Sequence, residues 1–258
     1  MMEIEKSFGE VTKLLLGTSL SVIDSYSSWL GKHVPLPSLA KSAVSGKDVW
    51  IPPTMNYFGT PFTKSKIISM EEMDKVNTSP FSHQDVENAS TKELMTKFTK
   101  PLAFFCGNFR YQDYENLEKV SGGGGGRNIY MGEDIYLGVK NIGFSNYTLF
   151  CENMFGSYAV THSQFSIHVY RSVSLARCFE VDSSSNCRDL FFSHNCENVN
   201  DSMFCFNAKN LRHAIGNVQL PVDKYKEMKA KILREISKEL ISNKSLKHDI
   251  FNIGDSDG

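Results

Sequence analysis

The sequence predicts a mainly β protein: a short parallel β-helix, preceded by a mixed α/β region and closed by a C-terminal helical cap. Three observations lead there. The six cysteines, Cys106, Cys151, Cys178, Cys187, Cys196 and Cys205, are separated by 45, 27, 9, 9 and 9 residues, all multiples of nine. Rows of nine written from Ile142 put small or apolar residues in columns one, four and seven. An amphipathic helical pattern then begins at Asp223, where the rows end.

A fixed short period marks a solenoid. Nine residues are too few for a helical hairpin but suit one side of a flattened coil. Two rows then make a coil of about 18 residues, expected to be right-handed. Stacked coils place equivalent columns about 4.8 Å apart and satisfy the backbone from coil to coil. The interior of such a coil is narrow, so inward columns must be slim. Column one reads Ile142, Cys151, Val160, Val169, Cys178, Cys187, Cys196, Cys205 and Ala214, which meets that need. Column nine differs, with His168, Arg177, Asn186, Asn195 and His213. Asn suits corners because it tolerates left-handed backbone.

The remaining elements follow in order. Residues 2–31 read as a helix, with Ile4, Phe8, Val11, Leu15, Val22, Tyr26 and Leu30 on one face, docked on its own domain. Residues 32–91 carry Pro35, Pro37, Pro52, Pro53, Pro61 and Pro80, which favours extended, turn-rich chain. Residues 92–120 return to helical signals around Leu94, Met95 and Leu117, interrupted by an apolar run at 101–106 that suits a buried strand. Gly122–Gly126 lack the Gly-Lys-Ser/Thr of a phosphate loop and read as a linker spanning 121–126. The division expected is 1–130 for the N-terminal region, 131–220 for the β-helix and 221–258 for the cap and tail. In the cap, Asp223 is the N-cap of a helix to about Ser242, with Tyr225, Met228, Ile232, Ile236 and Leu240 on one face.

Composition excludes some functions. Lys+Arg is 28 and Asp+Glu is 29, a formal net charge of −1, so no global field draws nucleic acid or an anionic membrane. No apolar run is long enough to span a bilayer, and the start, Met1-Met2-Glu3-Ile4-Glu5-Lys6, is unlike a secretory signal. A cytoplasmic protein with reduced thiols is expected, a place in a virion being compatible with the same features.

The stretch from Cys178 to Val199, with Asn186 before Cys187 and Asn195 before Cys196, resembles the Cys/Asn-punctuated coils of parallel β-helix domains. Two groups share this look: Cys-rich β-helix proteins of unknown function from microbial genomes and, more distantly, the cyclase-associated-protein and tubulin-cofactor-C family. The segment Cys205-Phe-Asn-Ala-Lys-Asn-Leu-Arg-His-Ala-Ile-Gly-Asn, followed by a Tyr-containing helix, is more similar to the first. Members of the second can carry an arginine that promotes GTP hydrolysis by a partner. Arg171 and Arg177 are its counterparts here, but the flanking glutamine of that motif is not in evidence, so the resemblance implies a GTPase-regulating module only as an alternative.

No convergent catalytic set stands out. Cys178, Cys187, Cys196 and Cys205 are metal or iron–sulfur candidates by residue type, but on an 18-residue coil they form two separate ladders and read as core thiols. The same winding makes His162–Glu180 and Arg171–Asp189 neighbours on adjacent coils, and gives His168 no acidic neighbour. Phe179, Phe191, Phe192, Phe204 and Phe206 add aromatic surface to the last coils. Any left exposed would mark a partner site, so Phe179, Phe191, Phe192, Phe206, Arg171 and Arg177 are the partner-binding candidates. The expectation is a non-enzymatic scaffold without a cofactor that binds protein, as a homo-oligomer or within a larger assembly.

Overall fold

The structure, a computed structural model, describes residues 1–53, 66–76, 79–98, 104–174, 176–183 and 188–254. It opens with helix α1 (Met2–Leu16), a 3-10 turn (Ile23–Tyr26) and the one-turn helix α2 (Ser27–Leu30). Strands β1 (Ser38–Lys41) and β2 (Asp48–Ile51) pair antiparallel, and β3 (Ile67–Ser69) pairs in parallel with β4 (Phe104–Gly107). The short helices α3 (His83–Glu87) and α4 (Thr91–Glu93) lie between these last two strands. The solenoid is built from β5 (Phe109–Val120), β6 (Gly122–Leu149), β7 (Glu152–Phe155), β8 (Tyr158–Thr161), β9 (Gln164–Tyr170), β10 (Phe179–Asp182), β11 (Arg188–His194), β12 (Asn200–Met203) and β13 (Ala214–Ile215). Strand β14 (Val218–Gln219) and helix α5 (Val222–Asn243) follow.

The parallel β-solenoid is therefore present, but its coil is shorter than the sequence suggested. Register runs Lys140 to Glu152, Glu152 to Gln164, Phe179 to Phe191 and Leu190 to Ser202, a step of twelve residues. Every third residue is a left-handed corner: Phe144, Tyr147, Phe150 and Asn153 have φ of 50°, 51°, 52° and 56°, and the pattern continues to His213. A corner every third residue on a coil of twelve gives four sides. The columns one, four and seven read from the sequence are three residues apart, so all three face the lumen. The nine-residue cysteine step covers three sides of a square coil rather than half of an 18-residue one.

Bulky residues in left-handed backbone cost about 1 kcal/mol each. Inter-coil hydrogen bonds offset that cost. The corner N–H donates to a carbonyl on the preceding coil, as in Phe150 to Leu137 (2.9 Å), His162 to Leu149 (3.1 Å) and Asn195 to Asp182 (3.1 Å). Asparagine corners add a side-chain ladder: Asn116 Nδ2 donates to Asn128 Oδ1 (2.9 Å), Asn128 to Asn141 (2.8 Å) and Asn141 to Asn153 (2.8 Å). Ser7 Oγ of α1 ends it by donating to Asn153 Oδ1 (2.7 Å).

The lumen is filled by Val120, Ile129, Ile135, Val139, Ile142, Cys151, Met154, Val160, Val169, Cys178 and their successors. Serine shares these positions because it bridges coils. Ser157 Oγ donates to Phe155 O (3.2 Å) and accepts the N–H of Val169, twelve residues on (3.2 Å). Ser145, Ser193 and Ser202 do the same.

The glycine run, expected as a linker, is the second coil. Gly122–Gly126 lie in β6, paired with Phe109–Tyr114 of β5, so the solenoid begins before residue 131. Side chains are excluded there by contact: a Cβ on Gly124 would lie 1.5 Å from Tyr111 O, and one on Gly126 would lie 2.3 Å from Val139 Cγ2. Likewise Leu117, read as helical, is in strand β5.

One flank is covered by helices. Ile4, Phe8, Val11 and Leu15 of α1 are buried, as expected, against the column Phe155, Ile167, Phe179, Phe191 and Met203. The predicted single helix over 2–31 instead breaks at Gly17, whose φ of 76° closes α1. Helix α5 is the C-terminal cap: Tyr225 packs on His213 of the last coil at 5.5 Å, and the helix then runs back along the flank, where Ser237 Oγ donates to Leu16 O (3.1 Å). Its N-cap is Pro221 rather than Asp223. The last coil's edge is closed by the antiparallel β13–β14 pair. At the other end β2 meets the first coil, where Asn108 Oδ1 accepts the Trp50 N–H (2.9 Å).

Candidate functional site

The lumen thiols come first. Cys151, Cys178, Cys196 and Cys205 are buried, and Cys187 lies outside the described residues. Each thiol donates to the carbonyl two residues back: Leu149 (3.1 Å), Ala176 (3.4 Å), His194 (3.4 Å) and Met203 (3.5 Å). They stand in for the lumen serines. Burial pushes the Cys151 and Cys205 thiols up, away from the nucleophilic thiolate. Among the described residues, no group of three or more His, Cys, Asp or Glu side chains is arranged to hold a metal ion.

The histidines pair differently from the 18-residue expectation. His168, not His162, meets Glu180: Nδ1 to Oε1 is 3.1 Å, and the two are 2% and 1% exposed. His162 instead stacks on Phe150 at 4.9 Å. Twelve residues before Asp189 stands Arg177, whose charge acts with that of Lys229 against the burial that pushes the Asp189 carboxyl up, while Arg171 lies elsewhere on the square. The same step makes His194–Asp182 (3.0 Å), Lys140–Glu152 (2.7 Å) and Lys209–Glu197 (2.5 Å).

The His168–Glu180 pair joins three parts of the chain. Trp29 of α2 packs on the His168 ring at 4.7 Å, and Phe179 stacks at 6.2 Å. Glu180 Oε2 accepts the Ile250 N–H of the C-terminal tail (3.0 Å). The tail is held again at Asp249, which bonds Lys32 Nζ (2.6 Å) and His33 Nε2 (2.8 Å). Burial pushes the Glu180 carboxyl up, while the hydrogen bond and charge of His168 act against that shift. Helix, coil and tail meet over a pair with almost no exposed surface, which makes it a fastening.

The partner-binding candidates divide. Phe179, Phe191 and Phe192 are buried under the helical flank. Phe206 is half-buried beside His194. Arg171 and Arg177 are exposed corners with φ of 48° and 55°.

The surface that the sequence reading missed lies on the side away from the helices. Its first column is Tyr111, Gly124, Tyr136, Leu149, Thr161 and Val173, linked by inter-coil pairing and ring contact. Its second is Gln112, Gly125, Leu137, Phe150 and His162. Tyr111, Leu137, Phe150 and Val173 are exposed, as is Tyr147 at the adjoining corner. Gly124 leaves a gap through which the Tyr111 and Tyr136 rings meet edge to face at 6.0 Å. Beside them is a groove of about 360 Å³ lined by Tyr111, Gln112, Tyr136, Leu137 and Leu149. Farther along, the same columns turn polar: Glu197 pairs with Lys209, and Asn198 donates to Asn210 (2.6 Å).

No helix among the described residues is long and apolar enough to cross a membrane. No family model matches the chain, and comparison with curated proteins found no match. The likeness to Cys/Asn-rich β-helix proteins thus extends to the parallel β-solenoid fold alone.

Proposed function

We propose that the protein is a non-enzymatic scaffold that self-associates through the aromatic half of its exposed solenoid face. The observation that carries this reading is the contiguous set Tyr111, Tyr136, Leu137, Tyr147, Phe150 and Val173 on one side of the coils. Exposed apolar residues scattered singly need no explanation, whereas a contiguous aromatic patch marks an interaction surface. Tyrosine is among the residue types that carry binding energy at such surfaces. These side chains bear no formal charge, and an uncharged apolar patch is self-complementary, as a two-fold contact between identical chains requires. The rigid coils hold the patch in shape, so little ordering cost falls on association.

Sedimentation equilibrium at micromolar concentrations tests this. The native chain is expected to be a dimer. Phe150→Glu should weaken association by at least about 30-fold, ~2 kcal/mol at a central contact residue, with the circular dichroism spectrum of the folded chain unchanged. A strict monomer, or a dimer indifferent to Phe150→Glu and to Tyr136→Glu alike, overturns the reading.

A further inference from the structure

A second concave feature lies on the opposite flank, where the end of α1, the solenoid and the middle of α5 fail to close on each other. The cavity is about 830 Å³, within the size range of small-molecule sites. Its floor is apolar: Leu15, Leu16 and Phe191 are buried beneath it, and Leu233 lines its wall. Two further apolar side chains, Leu14 and Ile241, remain 45% and 47% exposed at its edge. Three cations of α5 line it: Arg234 and Lys238, one turn apart, share one edge of the helix, and Lys229 projects from the other side toward the solenoid. Among the described residues none of the three is in an ion pair. Lys229 Nζ is positioned over the Phe191 ring (4.8 Å), at the junction of rim and floor. The lining has one carboxyl, Asp189, which burial pushes up and Lys229 holds down.

From this arrangement we infer that the cavity binds a free fatty acid, its chain on the Leu15–Leu16–Phe191–Leu233 floor and its carboxylate at the Arg234–Lys238 edge. An apolar ligand alone leaves the rim cations unused. A small inorganic anion alone leaves the floor wet. A single molecule with both parts satisfies both. The cavity opens to solvent between the helices, where Leu14, Arg234, Lys238 and Ile241 are all exposed.

The test is calorimetric titration of the full chain with laurate below its micelle concentration, at about 0.15 M salt. Saturable binding of one laurate per chain is expected. Arg234→Glu with Lys238→Glu should weaken it about tenfold or more, because both are exposed and the reversal turns attraction into repulsion. Leu233→Trp, which fills the floor, should abolish it, with circular dichroism confirming that the fold is kept. Dodecanol, which lacks the carboxylate, should bind more weakly than laurate and be indifferent to the charge reversal. Absence of saturable laurate binding overturns the inference, as does binding unaffected by both the charge-reversed and the filled variants. Uptake onto phosphatidylglycerol vesicles without binding of free laurate also overturns it, by assigning the rim to a membrane surface. Solution mass does not enter these readouts, so the outcome is independent of the dimer proposal.

Discussion

Replacing Ser157 by alanine should destabilise the solenoid far more than the loss of one oxygen suggests. Ser157 has no exposed surface, and its hydroxyl serves two coils. It donates to Phe155 O within its own coil and accepts Val169 N–H from the next, each at 3.2 Å. Alanine removes the acceptor and leaves the Val169 N–H facing a dry lumen. A buried donor left unsatisfied costs about 1–3 kcal/mol, whereas the net worth of an ordinary hydrogen bond is about 1 kcal/mol. The expected loss is therefore ~2 kcal/mol. Ser157→Cys should cost less, about 1 kcal/mol, because sulfur keeps a weak acceptor for the Val169 N–H and a thiol at this kind of position still donates two residues back, as Cys178 and Cys205 do (3.4 and 3.5 Å). Urea unfolding followed by the fluorescence of Trp29, packed between His168 and Phe179, gives both values. Hydrogen exchange adds a local reading, since the Val169 amide should lose protection in the alanine variant. A Ser157→Ala protein within about 0.5 kcal/mol of wild type would refute the claim that lumen serines act as inter-coil bridges.

Two further outcomes concern backbone and charge. Gly124→Ala, whose new carbon would meet Tyr111 O at 1.5 Å, should cost at least ~3 kcal/mol, while Gly46→Ala, with nothing within 4 Å, should cost only about 1 kcal/mol for its φ of 71°; thermal unfolding separates the two. Stability should depend on pH in opposite senses at the two tail anchors. The raised Glu180 contributes stability that is fully present below its unfolded value of about 4.3 and is lost as pH rises through the folded value, so Glu180→Gln should remove that alkaline-side decline. At Asp249 burial pushes the carboxyl up, but the bonds from His33, Lys32 and the Phe251 N–H prevail and hold it at about 2. Its stability is present above the unfolded value of about 3.9 and is lost as pH falls through the folded one, so Asp249→Asn should flatten the acid limb. Slopes of the opposite sign in unfolding free energy against pH would contradict these assignments.

The lumen was legible in the sequence, because slim residues at every third position are required wherever the coil closes. The number of sides was not, since a three-residue period divides nine, twelve and eighteen equally. The discriminating signal lay in other residue types: Asn116 and Asn128, Lys140 and Glu152, Asp182 and His194, and the aromatic column through Phe179 and Phe191 all step by twelve. That step brings Glu180 to His168 and takes Phe179, Phe191 and Phe192 under the helices. The cysteines, more conspicuous, carried no information about it because any lumen position accepts them. The exposed aromatic face needed the correct winding and one thing more: a glycine at 124, where composition suggested slack chain, lets two tyrosines from separate coils touch.

The left-handed corner at every third residue also sets the grammar of length change in this chain. One added residue downstream would exchange lining for corner and corner for exterior along every later turn. Three would restore those roles but rotate each wall by a quarter, swinging the hydrophobic seam out from under the helices. Only a whole turn of twelve leaves every later side chain facing its old neighbour. The native chain accommodates an extra residue between Asn128 and Asn141, next to Gly138 with its φ of 65°, where the amide ladder bridges thirteen positions instead of twelve, and another between Tyr111 and Tyr114, where the β5–β6 register changes from thirteen to twelve. Growth and shrinkage of such a protein should thus come in quanta, with local slips of one residue confined to the first coils.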